Sequence, residues 1–400
     1  MRTSLCLVSV AIISWLLSMS DVHSAQDKID QKSVLAGRGA VFFVRAVKAA
    51  KYEPTSVSGM STLPVGHICV LSLPSGSVTV ISGTAIPAAD LSVSRDASYV
   101  VFTSVREGKC FIARLNIASG AVIALTDEDQ NAFQPVCSPD GMWIAFIKEE
   151  KDGQRPYVIR PDGSDVTLVG NWRRDTGPKV SAPPGQSRGA ALTGIQALYW
   201  TKDSKTLYLR TKTHRKGAGE NMTVTRLGMR VDIASGEIER IELPPYEGDL
   251  SPDGKKYVFA DFGPSMHWQY EKRRIRALYI QDALDSGEKE LLFDPAPTRR
   301  EILHPAWSPD MRHVVFESSE VRRDPATFWH DVLGEGDLQH GGYVRNTDIW
   351  IVNLMSGEHS PLTTTEQYSE LFPVWSEEPF GVKEDGEGGA DVGEKGRETR

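Results

Sequence analysis

The chain is 400 residues long, 40% hydrophobic and 24% charged, with a net charge of −8 and four cysteines. An acidic balance argues against a general nucleic-acid binder, which is basic overall, and so few cysteines rule out a disulfide framework. The length suits two or three ordinary domains or one large repeat domain.

Residues 1–25 read as a targeting segment. Arg2 precedes the apolar run LCLVSVAIISWLL and then SMSDVHSAQ, whose small residues suit cleavage by a signal peptidase. The run is about 13 residues, short of the roughly 20 that a spanning helix needs. Export to the periplasm or the extracellular space is therefore expected, without stable membrane insertion. Cys6 lies inside the run, which argues against a lipid anchor. Cys69, Cys110 and Cys137 remain, enough for one bridge at most and expected as small buried thiols.

From residue 38 onward one phrase recurs. Ser94-Arg-Asp-Ala, Ser138-Pro-Asp-Gly, Thr201-Lys-Asp-Ser, Ser251-Pro-Asp-Gly, Ser308-Pro-Asp-Met and Ser376-Glu-Glu-Pro are spaced 44 to 68 residues apart, a period of blade-type or solenoid repeats. An apolar, sulfhydryl or aromatic residue precedes each (Val93, Cys137, Trp200, Leu250, Trp307, Trp375). The Ser-x-Asp-x tetrad makes a turn because Asp bonds its own backbone while Pro or Gly sets the dihedrals. Strand-rich runs follow each one, such as YVVFTS, WIAFIK and HVVFES, then a second run ending in a Gly turn and a short closing run. Four strands per unit make a propeller blade.

The first unit, with GAVFFVRA and GHICVLSLPSG, lacks an opening strand, while LFPVWS at 371–376 is an opening strand with no unit after it. The expected fold is therefore all-β: a six-bladed propeller over 38–376, closed by residues 371–376 joining the N-terminal blade, which leaves no open sheet edge. Residues 377–400 are charged, Gly-rich and nearly free of apolar groups, and are expected as a disordered tail.

The pattern x-P-x-W-S-P-D-G followed by an apolar strand, with Leu125-Thr126 and Leu362-Thr363 closing units, resembles the TolB-type, WD40-like β-propeller repeat. The resemblance implies a propeller scaffold of the kind found in periplasmic TolB, in the propellers of prolyl oligopeptidase-like enzymes and in oligogalacturonate lyases. Only about a dozen residues lie between the expected signal segment and the first strand, so the α/β unit of TolB is not expected ahead of the repeats and a TolB-like transport role is not the expectation.

With strands ordered from the axis outward, the tight tetrads fall on one rim. The long connections, near 45–66, 169–196, 210–222, 262–275, 294–303 and 319–346, all fall on the other. Binding residues tend to sit on loops held by a rigid scaffold. Those segments together carry +8 in a chain of −8, a contrast that draws in anionic ligands. The candidate ligand-binding residues are His267, Trp268, Arg273, Arg274, Arg300, His304 at the channel mouth, Trp329, His330 and His340. The partner is expected to be an envelope protein or an anionic glycan bound by a monomer, with no nucleic acid, no catalytic residue and no cofactor. The alternative is a carbohydrate-active enzyme resembling oligogalacturonate lyase, in which His304, His330 and His340 with Asp331 or Asp337 hold a divalent metal. Gly185-Gln-Ser187-Arg-Gly189 matches a nucleophile elbow, but no helical pattern follows it, so Ser187 is not assigned as a nucleophile.

Overall fold

The computed structural model describes residues 39–47, 63–73, 75–151, 153–173, 177–178, 192–216, 222–241, 243, 248–262, 276–283, 288–294, 300–323, 343–365 and 368–376. They form six antiparallel sheets arranged as the blades of a propeller, together with a short two-stranded pair, Trp172–Arg173 with Gly177–Pro178, between blades 3 and 4, and with no helix among the described residues.

From the axis outward, blade 2 consists of Ala89–Val93, Tyr99–Arg106, Lys109–Asn116 and Val122–Ala124. Blade 3 is Ala132–Cys137, Ile144–Glu150, Gly153–Ile159 and Thr167–Leu168. Blade 4 is Leu192–Trp200, Thr206–Lys216, Met222–Asp232 and Ile238–Ile241. Blade 5 is Gly248–Leu250, Lys256–Phe262, Arg276–Asp282 and Glu290–Phe293, and blade 6 is Arg300–Trp307, His313–Arg323, Tyr343–Asn353 and His359–Pro361.

Blade 1 closes the ring. Its inner strand is Tyr368–Ser376, which pairs antiparallel with Ala40–Val47; Val65–Ser72 and Val78–Val80 complete it, and Ile86–Pro87 adds to its third strand. The closing strand begins three residues earlier than the sequence suggested, because Glu370 and Ser369 still pair with Arg45 and Ala46.

The repeated tetrad folds through its own side chains. In blades 3, 5 and 6 the serine hydroxyl donates to the aspartate two residues on, Ser138 to Asp140 at 2.5 Å and Ser251 to Asp253 and Ser308 to Asp310 at 2.7 Å. The same hydroxyl accepts the N–H five residues on, from Trp143, Lys256 and His313. The aspartate accepts a further backbone N–H, from Met142, Lys255 and Arg312. Thr201 and Asp203 do the same in blade 4. The fourth residue of the tetrad is left-handed in every described copy: Ala97, Gly141, Ser204, Gly254 and Met311. That conformation costs a residue with a Cβ about 1–2 kcal/mol.

Side chains alternate across each strand, so each blade buries both faces against its neighbours. Six apolar clusters result, one in each seam between blades. Phe42 and Val44 face blade 2, whereas Val41 and Phe43, one residue away, face blade 6. The residue before the tetrad ties inner strands together. The indole N–H of Trp200 donates to Val136 O at 3.0 Å, and that of Trp307 to Asp249 O at 3.1 Å. Cys69, Cys110 and Cys137 are free thiols, and burial pushes them up to about 11, about 11 and about 12, so they are unreactive near neutrality.

Parts of several segments expected as loops are strands: Trp172–Arg173 pairs with Gly177–Pro178, the inner strands of blades 4 and 6 begin at Leu192 and Arg300, and two second-strand ladders run long. In blade 4 the ladder runs on through Lys216 opposite Met222, and in blade 6 through Arg323 opposite Tyr343. Backbone pairing and β-branched residues such as Thr211, Thr213 and Val224 suffice to continue the sheet.

Candidate functional site

The inner strands carry a shared irregularity on the side that bears the long connections. In four blades two inner-strand residues oppose a single phenylalanine of the second strand: Asp90-Leu91 opposite Phe102, Gln134-Pro135 opposite Phe146, His304-Pro305 opposite Phe316 and Phe372-Pro373 opposite Phe43. These are β-bulges, which re-aim a side chain. The first residue of each is left-handed, with φ of 51° at Asp90, 52° at Gln134, 44° at His304 and 55° at Phe372. A residue before proline is further biased towards extended backbone. Four side chains on left-handed backbone are thus held at equivalent places on the inner strands.

A hydrogen-bond relay accompanies two of the bulges. Between blades 2 and 3 the Thr103 hydroxyl donates to Asp90 Oδ2 and accepts the Gln134 N–H, both at 2.9 Å. Between blades 6 and 1 the corresponding residue is Glu317. Its Oε1 accepts from His304 Nδ1 at 2.7 Å and from the Phe372 N–H at 2.6 Å. The His304 and Phe372 rings lie 4.8 Å apart between centroids. The Glu317 side chain is 1% exposed and that of His304 27%, and Glu317 Oε2 has no hydrogen-bond partner.

Other buried charges in this sector pair internally. Arg300 donates to Asp348 Oδ2 at 3.0 Å, to Ser318 Oγ at 2.9 Å and to Ser318 O at 2.7 Å. Arg45 grips Glu370 Oε1 on the closing strand through Nε and Nη2. Burial pushes the Glu370 carboxyl up, against the pull of Thr363 and Arg45. Across the ring the Arg210 guanidinium donates to Tyr257 OH at 3.2 Å, and Tyr257 OH shares a 2.9 Å hydrogen bond with Tyr199 OH.

Of the candidates named from sequence, Arg300 and His304 lie on the inner strand of blade 6, each bonded to an internal carboxylate. His267, Trp268, Arg273, Arg274, Trp329, His330 and His340 lie outside the described residues, as do Ser187, Asp331 and Asp337. Among the described residues no group of three or more His, Cys, Asp or Glu is placed to hold a metal ion, and no helix is long and apolar enough to cross a membrane. Sequence reasoning missed Asp90, Gln134, Phe372 and Glu317. The available signal was the residue four places before each tetrad, followed by Pro in three of these copies.

No protein-family model matches the sequence, and no curated protein does. Solved structures share the fold. TolB from Acinetobacter baumannii superposes with a TM-score of 0.53 at 16% identity, covering 84% of this chain and 66% of that one. Hydrazine synthase from Kuenenia stuttgartiensis does so with a TM-score of 0.55 at 13% identity, over 85% of this chain and 47% of that one. A putative TolB from Agrobacterium tumefaciens gives 0.45 at 15% identity, over 86% and 92%. The chain therefore spans just under two thirds of the first of these proteins and about half of the second. Its fold is a TolB-like six-bladed β-propeller closed by its own C-terminal strand.

Proposed function

We propose that this protein is an exported binding module that docks an envelope protein on its connection-bearing side, centred on the channel mouth around His304. The supporting observation is the set of bulges. Glycine relieves a left-handed backbone at no steric cost, yet Asp90, Gln134, His304 and Phe372 all keep side chains there. Such strain tends to collect at functional sites. The opposite rim consists of short turns whose polar groups are already bonded to one another. A protein partner is favoured over an anionic glycan because Arg300, the described cation of the candidate set, is neutralised by Asp348.

The test is retention of partners from envelope extract by the wild-type protein, by His304→Ala at the mouth, and by Met355→Ser, which alters an 86% exposed residue on the opposite rim. The same protein is expected with wild type and Met355→Ser and should be lost with His304→Ala. Retention by His304→Ala refutes the site. Tight binding of an acidic oligosaccharide with no protein retained replaces the partner.

A further inference from the structure

Blades 6, 1, 2 and 3 are consecutive around the ring, and their bulge residues are His304, Phe372, Asp90 and Gln134. The second-strand residues paired beside those bulges are Glu317, Val44, Thr103 and Ile147. These eight positions hold two carboxylates, a carboxamide and an imidazole, and no lysine or arginine. This arc of the mouth is rich in acceptors although the connections around it are rich in cations.

Glu317 is the telling member. Thr103 occupies the same place in blade 2 and serves the same two kinds of partner, its own blade's bulge side chain and the next blade's bulge N–H. A hydroxyl is therefore enough for the structural task. Glu317 adds a charge and a second oxygen, and that oxygen is buried with no partner. An uncompensated buried carboxylate oxygen is costly, so the residue is ill chosen for packing alone. Gln134 Oε1, in the same arc, is likewise buried without a partner.

We infer that this arc receives a basic side chain, arginine or lysine, presented by the docking partner, with Glu317 as its counter-charge. The inference rests on the docking role proposed above. A guanidinium suits a carboxylate because its fork of donors matches two oxygens. His304, much more exposed than the carboxylate it bonds, is the group the guest meets first. Its ring turns aside, or shares Oε1, as the guest reaches Oε2.

The test is calorimetric titration of the full chain at low ionic strength, where charge pairing is least screened, with Gly-Arg-Gly and with Gly-Glu-Gly. Wild type should bind the arginine tripeptide, and Glu317→Thr, which copies the neutral residue of blade 2, should bind it at least about tenfold more weakly, the factor equivalent to about 1.4 kcal/mol. Where Glu317→Thr does not fold, Glu317→Gln, which keeps an acceptor for the Phe372 N–H, gives the same reading. Equal affinity in variant and wild type, or preference for Gly-Glu-Gly, overturns the inference. Loss of the envelope partner in His304→Ala without any Gly-Arg-Gly binding keeps the docking face and rejects the basic guest.

Discussion

Asp249 links the inner strands of blades 5 and 6, and its titration should be visible in the stability of the ring. Its Oδ2 accepts the Trp307 N–H at 3.0 Å while its own carbonyl accepts the Trp307 indole N–H. Burial pushes its carboxyl from 3.8 up to about 6, against the pull of the Trp307 and Leu250 N–H groups. The folded value lies above the unfolded one, so between pH 4 and 6 the native state holds a proton that the unfolded chain has released. Stability from this group is complete below pH 4 and falls as pH rises through 6. A shift of about two units corresponds to about 3 kcal/mol. Asp249→Asn removes the charge and keeps an oxygen for Trp307, but its new N–H donors lack a designed partner, an offset of about 1 kcal/mol. The variant should therefore be slightly less stable than wild type at pH 4 and about 2 kcal/mol more stable at pH 8. Urea denaturation at pH 4, 6 and 8 measures the difference. Taking the difference cancels the turn aspartates Asp203 and Asp253, whose hydrogen bonds lower their carboxyls and give the opposite dependence in acid. A difference that stays constant with pH, or a variant weaker at pH 8, refutes the reasoning.

Gly39→Ala should open the ring: Gly39 has φ of 93° and an added Cβ would sit 2.0 Å from Ser376 O on the closing strand. The cost should be several kcal/mol, read as a lower melting temperature and early proteolysis between blades 6 and 1. Met311→Gly should stabilise. It relieves a left-handed methionine at φ 56°, worth about 1–2 kcal/mol, against about 0.5–1 kcal/mol of added chain entropy in the unfolded state, for a net gain of up to about 1.5 kcal/mol in urea denaturation. Trp200→Phe should lose about 1 kcal/mol, because the 3.0 Å bond to Val136 O disappears while that carbonyl stays in the ladder opposite Ala145; full stability in Trp200→Phe would assign the tryptophan to packing alone.

The parts of this molecule that were legible in sequence are those whose physics is local. A serine and an aspartate two residues apart close a turn by bonding each other and the backbone between them, so Ser138-Asp140 and Ser308-Asp310 announce themselves wherever they occur. Ring closure was legible for a related reason: an inner strand without a blade and a blade without an inner strand leave backbone groups unpaired at both ends. The ribbons of blades 4 and 6 were not, since THRK in one and VRR in the other look like loop composition. Their strand state rests on the backbone ladder, which composition does not announce.

The mouth was illegible one residue at a time and becomes legible when the copies are compared within the chain. Nine residues after the start of five tetrads stand Thr103, Ile147, Arg210, Ala260 and Glu317, and in blade 1 the equivalent place, by its pairing with the inner strand, is Val44. The site is buried in the blade wall, and four copies fill it with an apolar side chain or a hydroxyl. The other two carry charge, and each charge has recruited a neighbour from the repeat: Tyr257 beside Arg210, and His304 with the Phe372 N–H beside Glu317. Blades 1 and 2 fill this place with valine and threonine, so the blade geometry itself does not call for a carboxylate there. Glu317 keeps one oxygen unmatched at a position that the other copies fill with valine, threonine, isoleucine, arginine or alanine, and that contrast is the observation on which the proposed basic guest rests.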